Sequence, residues 1–160
     1  MIEAHEMKRT LTEIVIDPSH VDRTESPEFR RSKERLKEDG HYKCYICGTA
    51  EGIQVHHLGE YCFANVIDFG KLKQFCEDFD PYGYGKLLKN KSMSGVDEVR
   101  NCLCLCREHH IEKGTGVHEL TMPIWLIQKL AKSGEDPVPQ NGESAGQVLE
   151  EVEASESQTN

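Results

Sequence analysis

The chain carries the run NCLCLCREHH at residues 101–110 and an earlier run, CYIC, at residues 44–47. Each run holds two metal-ligand side chains with two residues between them: Cys44 and Cys47 in one, Cys106 and His109 in the other. This gap lets one turn of chain aim both side chains at a single ion, and structural zinc sites commonly close with two such pairs. The spacing therefore predicts a structural Cys₃His zinc site that joins two distant segments.

Two further cysteines compete for a place in this site. Cys102 and Cys104 alternate with Cys106, so all three can face the same side of a strand. We favour Cys106 because it alone has a partner at the two-residue gap where a helix begins. Cys62 and Cys76 have no partner at such a spacing and are interpreted as core or loop thiols.

Turn residues and hydrophobic periodicity divide the first part of the chain. Residues 13–17 are typical of a short strand. Ser26 followed by Pro27 predicts a helix start, and that helix runs to about Glu38. Residues 41–58 predict a β-hairpin whose returning strand is 53–57.

The second part of the chain is less regular. Residues 60–100 form a long connection with one predicted helix within 66–79, a break at 81–85 and a loop at 86–95. A strand end leads into a helix over 103–113, and a final helix spans 122–132. Together these elements indicate an α+β fold. With 37% hydrophobic residues the core is modest, so a bound metal is expected to contribute to folding.

The negative charge of the chain is concentrated at its end. Residues 133–160 hold seven acidic residues and no Lys or Arg, which accounts for −7 of the net charge of −9. The remaining −2 on residues 1–132 is compatible with a nucleic-acid partner. Since large apolar residues are almost absent from this acidic tail, it is expected to be disordered and to be able to bind a protein partner.

Cysteine usage and hydropathy bear on the compartment. Seven cysteines are an odd number, no secretory signal pattern opens the chain, and no apolar run approaches the ~20 residues that span a bilayer. In a reducing compartment clustered cysteines bind metal more often than they form disulfides. We therefore expect a cytoplasmic protein with no membrane partner.

Between the two zinc runs lies a second set of polar residues, His56, His57, Asn101 and His110. With the zinc runs, the segments VHH (55–57) and NCLCLCREHH (101–110) resemble the HNH endonuclease family, whose pattern is N-L-x-x-L-C-x-x-[CH]-H. Cys102 stands where that pattern has Leu. The resemblance covers residues 41–118. Within the family the chain is similar to small phage-encoded members, which implies that the protein acts in a bacterial or phage-infected host cell.

The resemblance implies a ββα-metal domain with a zinc-stapled β-hairpin, flanking helices and the acidic tail. It implies that His56 and His110 bind a catalytic divalent ion, Mg²⁺ or another, while His57 is the general base. It further implies that Asn101 orients this base or its loop. Adjacent residues on a helix differ by about 100°, so His109 can bind zinc while His110 faces a second site.

Two departures from the family pattern affect the site. Asn101 follows His57 at a greater distance than in compact members, so residues 60–100 are interpreted as an insertion. Many relatives have another His four residues after the position of His110, where this chain has Gly114. His118 is the nearest substitute as a ligand. The predicted organisation is an extension at 1–25, a nuclease domain at 26–132 and a tail at 133–160.

Three function classes follow from these patterns. The first is a metal-dependent endonuclease that acts on DNA, with its oligomeric state, monomer or homodimer, left open. The second is a catalytically inactive zinc-binding module that binds nucleic acid or protein. The third is a thiol redox protein that uses Cys44 and Cys47, which is disfavoured because no βαβ pattern surrounds them. Only the first explains why His57, Asn101 and His110 occur together.

Overall fold

The computed structural model describes residues 24–112, 115–119 and 122–135. The predicted strand at 13–17 and nearly all of the acidic tail lie outside this part of the chain. The described residues form a small α+β fold. Its helices are α1 (Pro27–Glu38), α2 (Phe69–Asp78), α3 (Tyr84–Leu87), α4 (Arg107–Ile111) and α5 (Met122–Leu130), and its strands are β1 (Ile53–His57) and β2 (Cys102–Cys106).

The start of α1 agrees with the sequence prediction. The Ser26 hydroxyl accepts a hydrogen bond from the Phe29 amide at 3.0 Å, and Pro27 occupies the first helical position. Pro is well placed there because its missing N–H is not needed in the first turn. The helix buries Phe29, Ser32 and Leu36, and the two apolar side chains pack in one core cluster with Cys102 and Cys104 of β2.

The partner of β1 differs from the prediction. β1 pairs with β2 in an antiparallel two-stranded sheet, with Ile53 opposite Cys106 and His57 opposite Cys102. Residues 41–50 form turns and irregular backbone, so the predicted hairpin within 41–58 is wrong. The physical reason is that β2, which is buried at all five positions, takes the pairing edge of β1. The segment 44–48 instead forms a turn around its two cysteines, and the Tyr45 amide donates to the Cys104 carbonyl of β2 at 2.8 Å.

Residues 60–100 supply much of the hydrophobic core. They include two helices, α2 and α3, so the predicted loop at 86–95 begins with helical residues 86 and 87. One core cluster packs this segment against α5 through the buried residues Phe63, Val66, Ile67, Leu72, Cys76, Met93, Val96, Leu126, Ile127 and Leu130. The long connection is thus a structural layer that supports the strand pair.

A buried arginine holds the last part of this segment together. Arg100 donates to both carboxylate oxygens of Glu98 and to the carbonyls of Leu88, Lys91 and Ser92. Burial opposes ionisation of Glu98, but the hydrogen bonds from Arg100 and Ser94 outweigh it and lower the Glu98 pKa. The guanidinium therefore anchors the loop that precedes β2.

No helix in the described ranges combines the length and the apolar content that crossing a membrane requires.

Replacing Arg100 with Met should destabilise the protein by about 3–5 kcal/mol, because it removes the cation that pairs with the Glu98 carboxylate and the guanidinium bonds to three carbonyls. Urea unfolding followed by circular dichroism measures this loss. The double variant Arg100→Met/Glu98→Gln should recover part of it, since the uncompensated charge is then removed. Stability of the single variant equal to that of the wild type would contradict this role.

Candidate metal centres

The first cluster consists of Cys44, Cys47, Cys106 and His109, whose ligand atoms all lie within 4.8 Å of one another. The measured separations are 3.9 Å between the sulfurs of Cys47 and Cys106, 3.6 Å from Cys44 Sγ to His109 Nδ1 and 3.2 Å from Cys106 Sγ to the same nitrogen. Tetrahedral zinc with Zn–S bonds of ~2.3 Å needs edges of roughly 3.4–3.8 Å. The four residues, called here the Cys₃His cluster, therefore fit a metal such as zinc.

Local backbone structure brings these four ligands together. The Gly48 amide bonds to the Cys44 carbonyl at 2.8 Å, and the positive φ of 76° at Gly48 closes a turn that aims both cysteines inward. Cys106 ends β2 and is the N-cap residue of α4, and His109 lies one turn further along that helix. The cluster thus joins the 44–48 turn to the strand-to-helix junction.

The chemistry of Cys44 suits a metal ligand. Burial opposes ionisation of its thiol, but hydrogen bonds from the backbone amides of Cys106, Cys47 and Ile46 outweigh burial and lower its pKa to about 6. A thiolate is the form that binds zinc, so this ligand is available at neutral pH before a metal arrives.

The other cysteines lie in different surroundings. Burial raises the pKa of Cys102 well above its usual value, that of Cys104 to about 11 and that of Cys76 to about 12. Cys102 and Cys104 pack with Phe29, Leu36 and other apolar residues, while Cys76 and the half-buried Cys62 belong to the α2 side of the core. Among the cysteines of β2, the structure brings only Cys106 into the Cys₃His cluster.

The second cluster consists of His56, His110 and His118, and is called here the histidine cluster. His118 Nε2 lies 3.0 Å from His110 Nε2, and the three ring centroids are 4.7–5.5 Å apart. His110 Nδ1 is 2.7 Å from the Gln54 side-chain oxygen, so Nδ1 donates and Nε2 faces His118. Three imidazole nitrogens at these distances can hold a divalent ion.

His118 reaches this cluster from outside α4. It lies on the 3₁₀ turn Val117–Glu119, which follows the end of α4 and packs back against that helix. The residue with the family's usual spacing, Gly114, lies outside the described residues. The spacing of residues along a helix therefore does not place His118 beside His110. The turn that carries His118 packs back against α4, and this brings the two rings together.

His57 lies beside the histidine cluster rather than within it. Successive side chains on a strand point to opposite faces, but His56 and His57 are the last two residues of β1, and both line a cavity of about 330 Å³. His110 and His118 line the same cavity. The His57 ring stacks on Phe29 with a centroid distance of 4.7 Å and meets the Tyr61 ring edge-on.

Asp97 is a residue that the sequence patterns did not identify. Its Oδ1 lies 2.9 Å from His57 Nε2, and its Oδ2 accepts from the Ser26 hydroxyl at 2.7 Å. Its carbonyl also accepts from the Ser32 hydroxyl at 2.8 Å. No spacing marks this carboxylate in the sequence, because it is brought to His57 from forty residues away by packing against α1.

Asn101 holds the loop that follows His57. Its buried amide accepts from the Gly59 N–H at 2.7 Å and donates to the carbonyls of Gly59 and Val96 at 2.9 and 2.7 Å. A Cβ on Gly59 would lie 3.0 Å from Leu72 Cδ1, so a larger residue there would require the Leu72 side chain to shift. These bonds fix the backbone immediately after the two histidines of β1.

Glu60, also not identified from the sequence, places a carboxylate against the histidine cluster. It is 3% exposed, and its Oε1 lies 3.1 Å from His56 Nδ1 and 3.8 Å from His118 Nε2. A spacing signal does exist, because Glu60 follows His56 by four residues. That spacing indicates proximity only in a helix, and this segment is the end of a strand.

No family model, curated protein or solved structure matches this chain.

Replacing Cys44 with Ser should remove one equivalent of zinc per chain and several kcal/mol of stability, because structural zinc contributes its binding free energy to folding. Elemental analysis of the purified protein and thermal unfolding measure the two effects. Cys62→Ser is the matched control, since Cys62 lies outside the cluster. Unchanged metal content in Cys44→Ser would show that this cluster does not hold zinc.

Proposed function

We propose that this protein is an HNH-type endonuclease that hydrolyses DNA phosphodiester bonds with one divalent ion. The observation that carries the proposal is the single cavity shared by His57 and the histidine cluster, beside a separate Cys₃His cluster. A phosphodiester hydrolase needs a base for water and a cation for the phosphate, next to each other. The resemblance in residues 41–118 supports the same conclusion independently.

His56, His110 and His118 are the residues that would hold the divalent ion. When bound, such an ion neutralises charge on the scissile phosphate and stabilises the leaving oxygen. Hydrolysis with departure of the 3′ oxygen leaves 5′-phosphate and 3′-hydroxyl ends. Gln54 supports this arrangement, because its bond to His110 Nδ1 keeps the opposite ring nitrogen towards the cluster.

His57 is suited to take a proton from the attacking water. A carboxylate accepts hydrogen bonds, so the contact with Asp97 assigns the proton of the neutral ring to Nε2 and the lone pair to Nδ1. Stacking on Phe29 and the edge contact with Tyr61 restrict rotation of the ring. Asp97 is thus a positioning residue that fixes the tautomer and orientation of the base.

Asn101 contributes through the backbone rather than through the reacting atoms. Its three bonds to Gly59 and Val96 connect the end of β1 with the loop that carries Asp97. One buried amide, that of Asn101, therefore binds the backbone near His57 and the backbone near Asp97. This geometry supports the role that the family resemblance implies for Asn101.

His57→Ala should lower the rate of plasmid nicking by about 10²–10⁴-fold, the usual contribution of a general base. Supercoiled plasmid incubated with Mg²⁺, Mn²⁺ or Ni²⁺ and analysed on agarose gels gives the rate, and zinc content should stay unchanged. His41→Ala is the matched control, since His41 stacks on Tyr82 and is not among the cavity residues. Equal nicking by wild type and His57→Ala would refute the mechanism, and nicking by neither would favour a non-catalytic binding module.

Asp97→Asn should reduce nicking at least about tenfold with little change in melting temperature, because the amide can donate to Nε2 and so favour the wrong tautomer. Ser26→Ala is the control, since it removes the Ser26 hydroxyl bond to the Asp97 carboxylate while leaving the contact with His57. That control should cost about 1 kcal/mol of stability through the lost helix cap and leave most of the cleavage rate. A wild-type rate in Asp97→Asn would contradict the positioning role.

A further inference from the structure

We propose that one flank of α1, formed by Arg30, Lys33 and Lys37 and called here the basic stripe, binds the phosphate backbone of duplex DNA beside the cavity of His57. The inference rests on the proposed function, because it takes a DNA phosphodiester as the occupant of that cavity, and it names the surface that holds the adjoining part of the strand. It does not depend on which ion the histidine cluster binds.

The three cations of the basic stripe share one side of α1. Residues advance by about 100° along a helix, so Arg30, Lys33 and Lys37 fall within a sector of about 60°. This sector adjoins the buried Phe29. Arg31 falls outside it and lines a different cavity on the other flank of the helix. The positive charges of α1 are therefore divided between two sides, and the basic stripe is the side next to Phe29.

The Phe29 ring connects the basic stripe to the candidate active site. Lys33 Nζ lies 5.0 Å from the centroid of this ring, which in turn lies 4.7 Å from the centroid of the His57 ring, so the ammonium is within about 10 Å of the histidine. Phe29 also lines the cavity that His57 shares with the histidine cluster. Successive phosphates of one DNA strand advance by about 3.4 Å along the duplex axis. A strand with its scissile phosphate in the cavity therefore has flanking phosphates within reach of Lys33.

The length of the basic stripe suits a short run of phosphates. At 1.5 Å per residue the helix advances by about 10 Å from Arg30 to Lys37. Three nucleotide steps of a duplex cover about the same axial distance. A row of cations by itself suits an acidic protein segment as well. Its place beside a cavity equipped for phosphodiester hydrolysis favours DNA.

Aromatic rings hold two of these ammonium groups in position. Lys33 lies over Phe29, and Lys37 Nζ lies 4.7 Å from the centroid of the Tyr42 ring. Burial raises the pKa of Tyr42 and the charge of Lys33 acts against it, which agrees with a position of this lysine near the Tyr42 hydroxyl. Side chains ordered in this way lose less conformational entropy on binding a phosphate than fully solvated lysines do.

Glu25 competes with a phosphate for the basic stripe. Its carboxylate pairs with Lys33, and its carbonyl accepts from Arg30 Nη1 at 3.0 Å. The side chains of Glu25 and Lys33 are 47% and 22% exposed, and ion pairs in such surroundings are weak. A phosphate can therefore displace the carboxylate from Lys33, and removal of the Glu25 charge is expected to strengthen DNA binding.

DNA affinity tests the proposal without reference to cleavage. Zinc-loaded full-length protein is titrated into a short fluorescein-labelled DNA duplex without added Mg²⁺ or Mn²⁺, and fluorescence anisotropy gives the affinity between about 50 and 200 mM salt. Each phosphate contact contributes about −0.9 to the slope of log affinity against log salt concentration. The double variant Lys33→Gln/Lys37→Gln should therefore flatten this slope by about two and weaken binding about 10–100-fold near 0.1 M salt.

Matched variants separate the basic stripe from a general loss of positive charge. Arg31→Gln/Lys73→Gln also removes two charges, one from the other flank of α1 and one from an α2 lysine that pairs with Glu77 as Lys33 pairs with Glu25. This control should keep the wild-type slope. Glu25→Gln should tighten DNA binding severalfold, whereas Glu77→Gln should leave it unchanged.

Three results would overturn the proposal. The first is a Lys33→Gln/Lys37→Gln variant with the affinity and slope of the Arg31→Gln/Lys73→Gln control. The second is tighter binding of an RNA duplex of the same sequence. The third is binding of polyglutamate with no binding of DNA, which would assign the basic stripe to an acidic protein segment. If the double variant fails to fold, Lys33→Gln alone must still flatten the salt slope by about one.

This proposal and the endonuclease fail in distinguishable ways. Wild type that binds the duplex through the basic stripe but does not nick plasmid refutes the endonuclease and leaves a DNA-binding surface. Wild type that nicks plasmid, with duplex affinity and salt slope unaltered in Lys33→Gln/Lys37→Gln, refutes the basic stripe and leaves the endonuclease.

Discussion

The pairing of β1 with β2 is the constraint on which both candidate metal centres depend. Its register sets Ile53 opposite Cys106 at one end, where the Cys₃His cluster forms, and His57 opposite Cys102 at the other, where Asn101 and the loop of Asp97 begin. A shift by a single residue would turn every side chain of a strand to the opposite face. Because β2 is buried on both faces, such a shift would exchange the surroundings of its cysteines and leucines and turn Cys106 away from its cluster, so it is strongly disfavoured.

The supporting core comes mostly from a segment that looks dispensable in the sequence. Residues 60–100 pack α2 against α5 and place Gly59 against Leu72, Ile67 and Leu130. The same segment supplies Glu60 and Asp97, the two carboxylates that contact histidines of β1. This long connection therefore provides both packing and polar groups at the candidate site.

The sequence predicted the features that depend on short spacings. The Ser26 cap, the helices near 69–78 and 122–130, and the grouping of Cys44, Cys47, Cys106 and His109 all follow from patterns within a few residues. The pairing of β1 with β2 could not be predicted from such short patterns, and the prediction of a hairpin that includes the turn at 44–48 was wrong. The burial of β2 that determines its partner is a tertiary property.

The carboxylates of the candidate site were beyond sequence reasoning for a similar reason. An Asp or Glu in a loop is usually solvated, and its type alone does not distinguish Asp97 or Glu60 from the other acidic residues of the chain. Their contacts depend on where α1 and the strand ends lie in three dimensions. His118 was recognised as a substitute ligand from its identity, but the reversal of chain that returns it to His110 is visible only in the fold.

Helix α4 is only five residues long and carries His109 of the Cys₃His cluster and His110 of the histidine cluster. A helix this short has little stability of its own, so its orientation is determined by what binds its side chains. An ion in either cluster therefore restricts the helix in a way that lowers the entropic cost of filling the other. Thermodynamic reciprocity makes the effect equal in both directions, because an ion in the Cys₃His cluster would raise the affinity of the histidine cluster by the same factor as the converse.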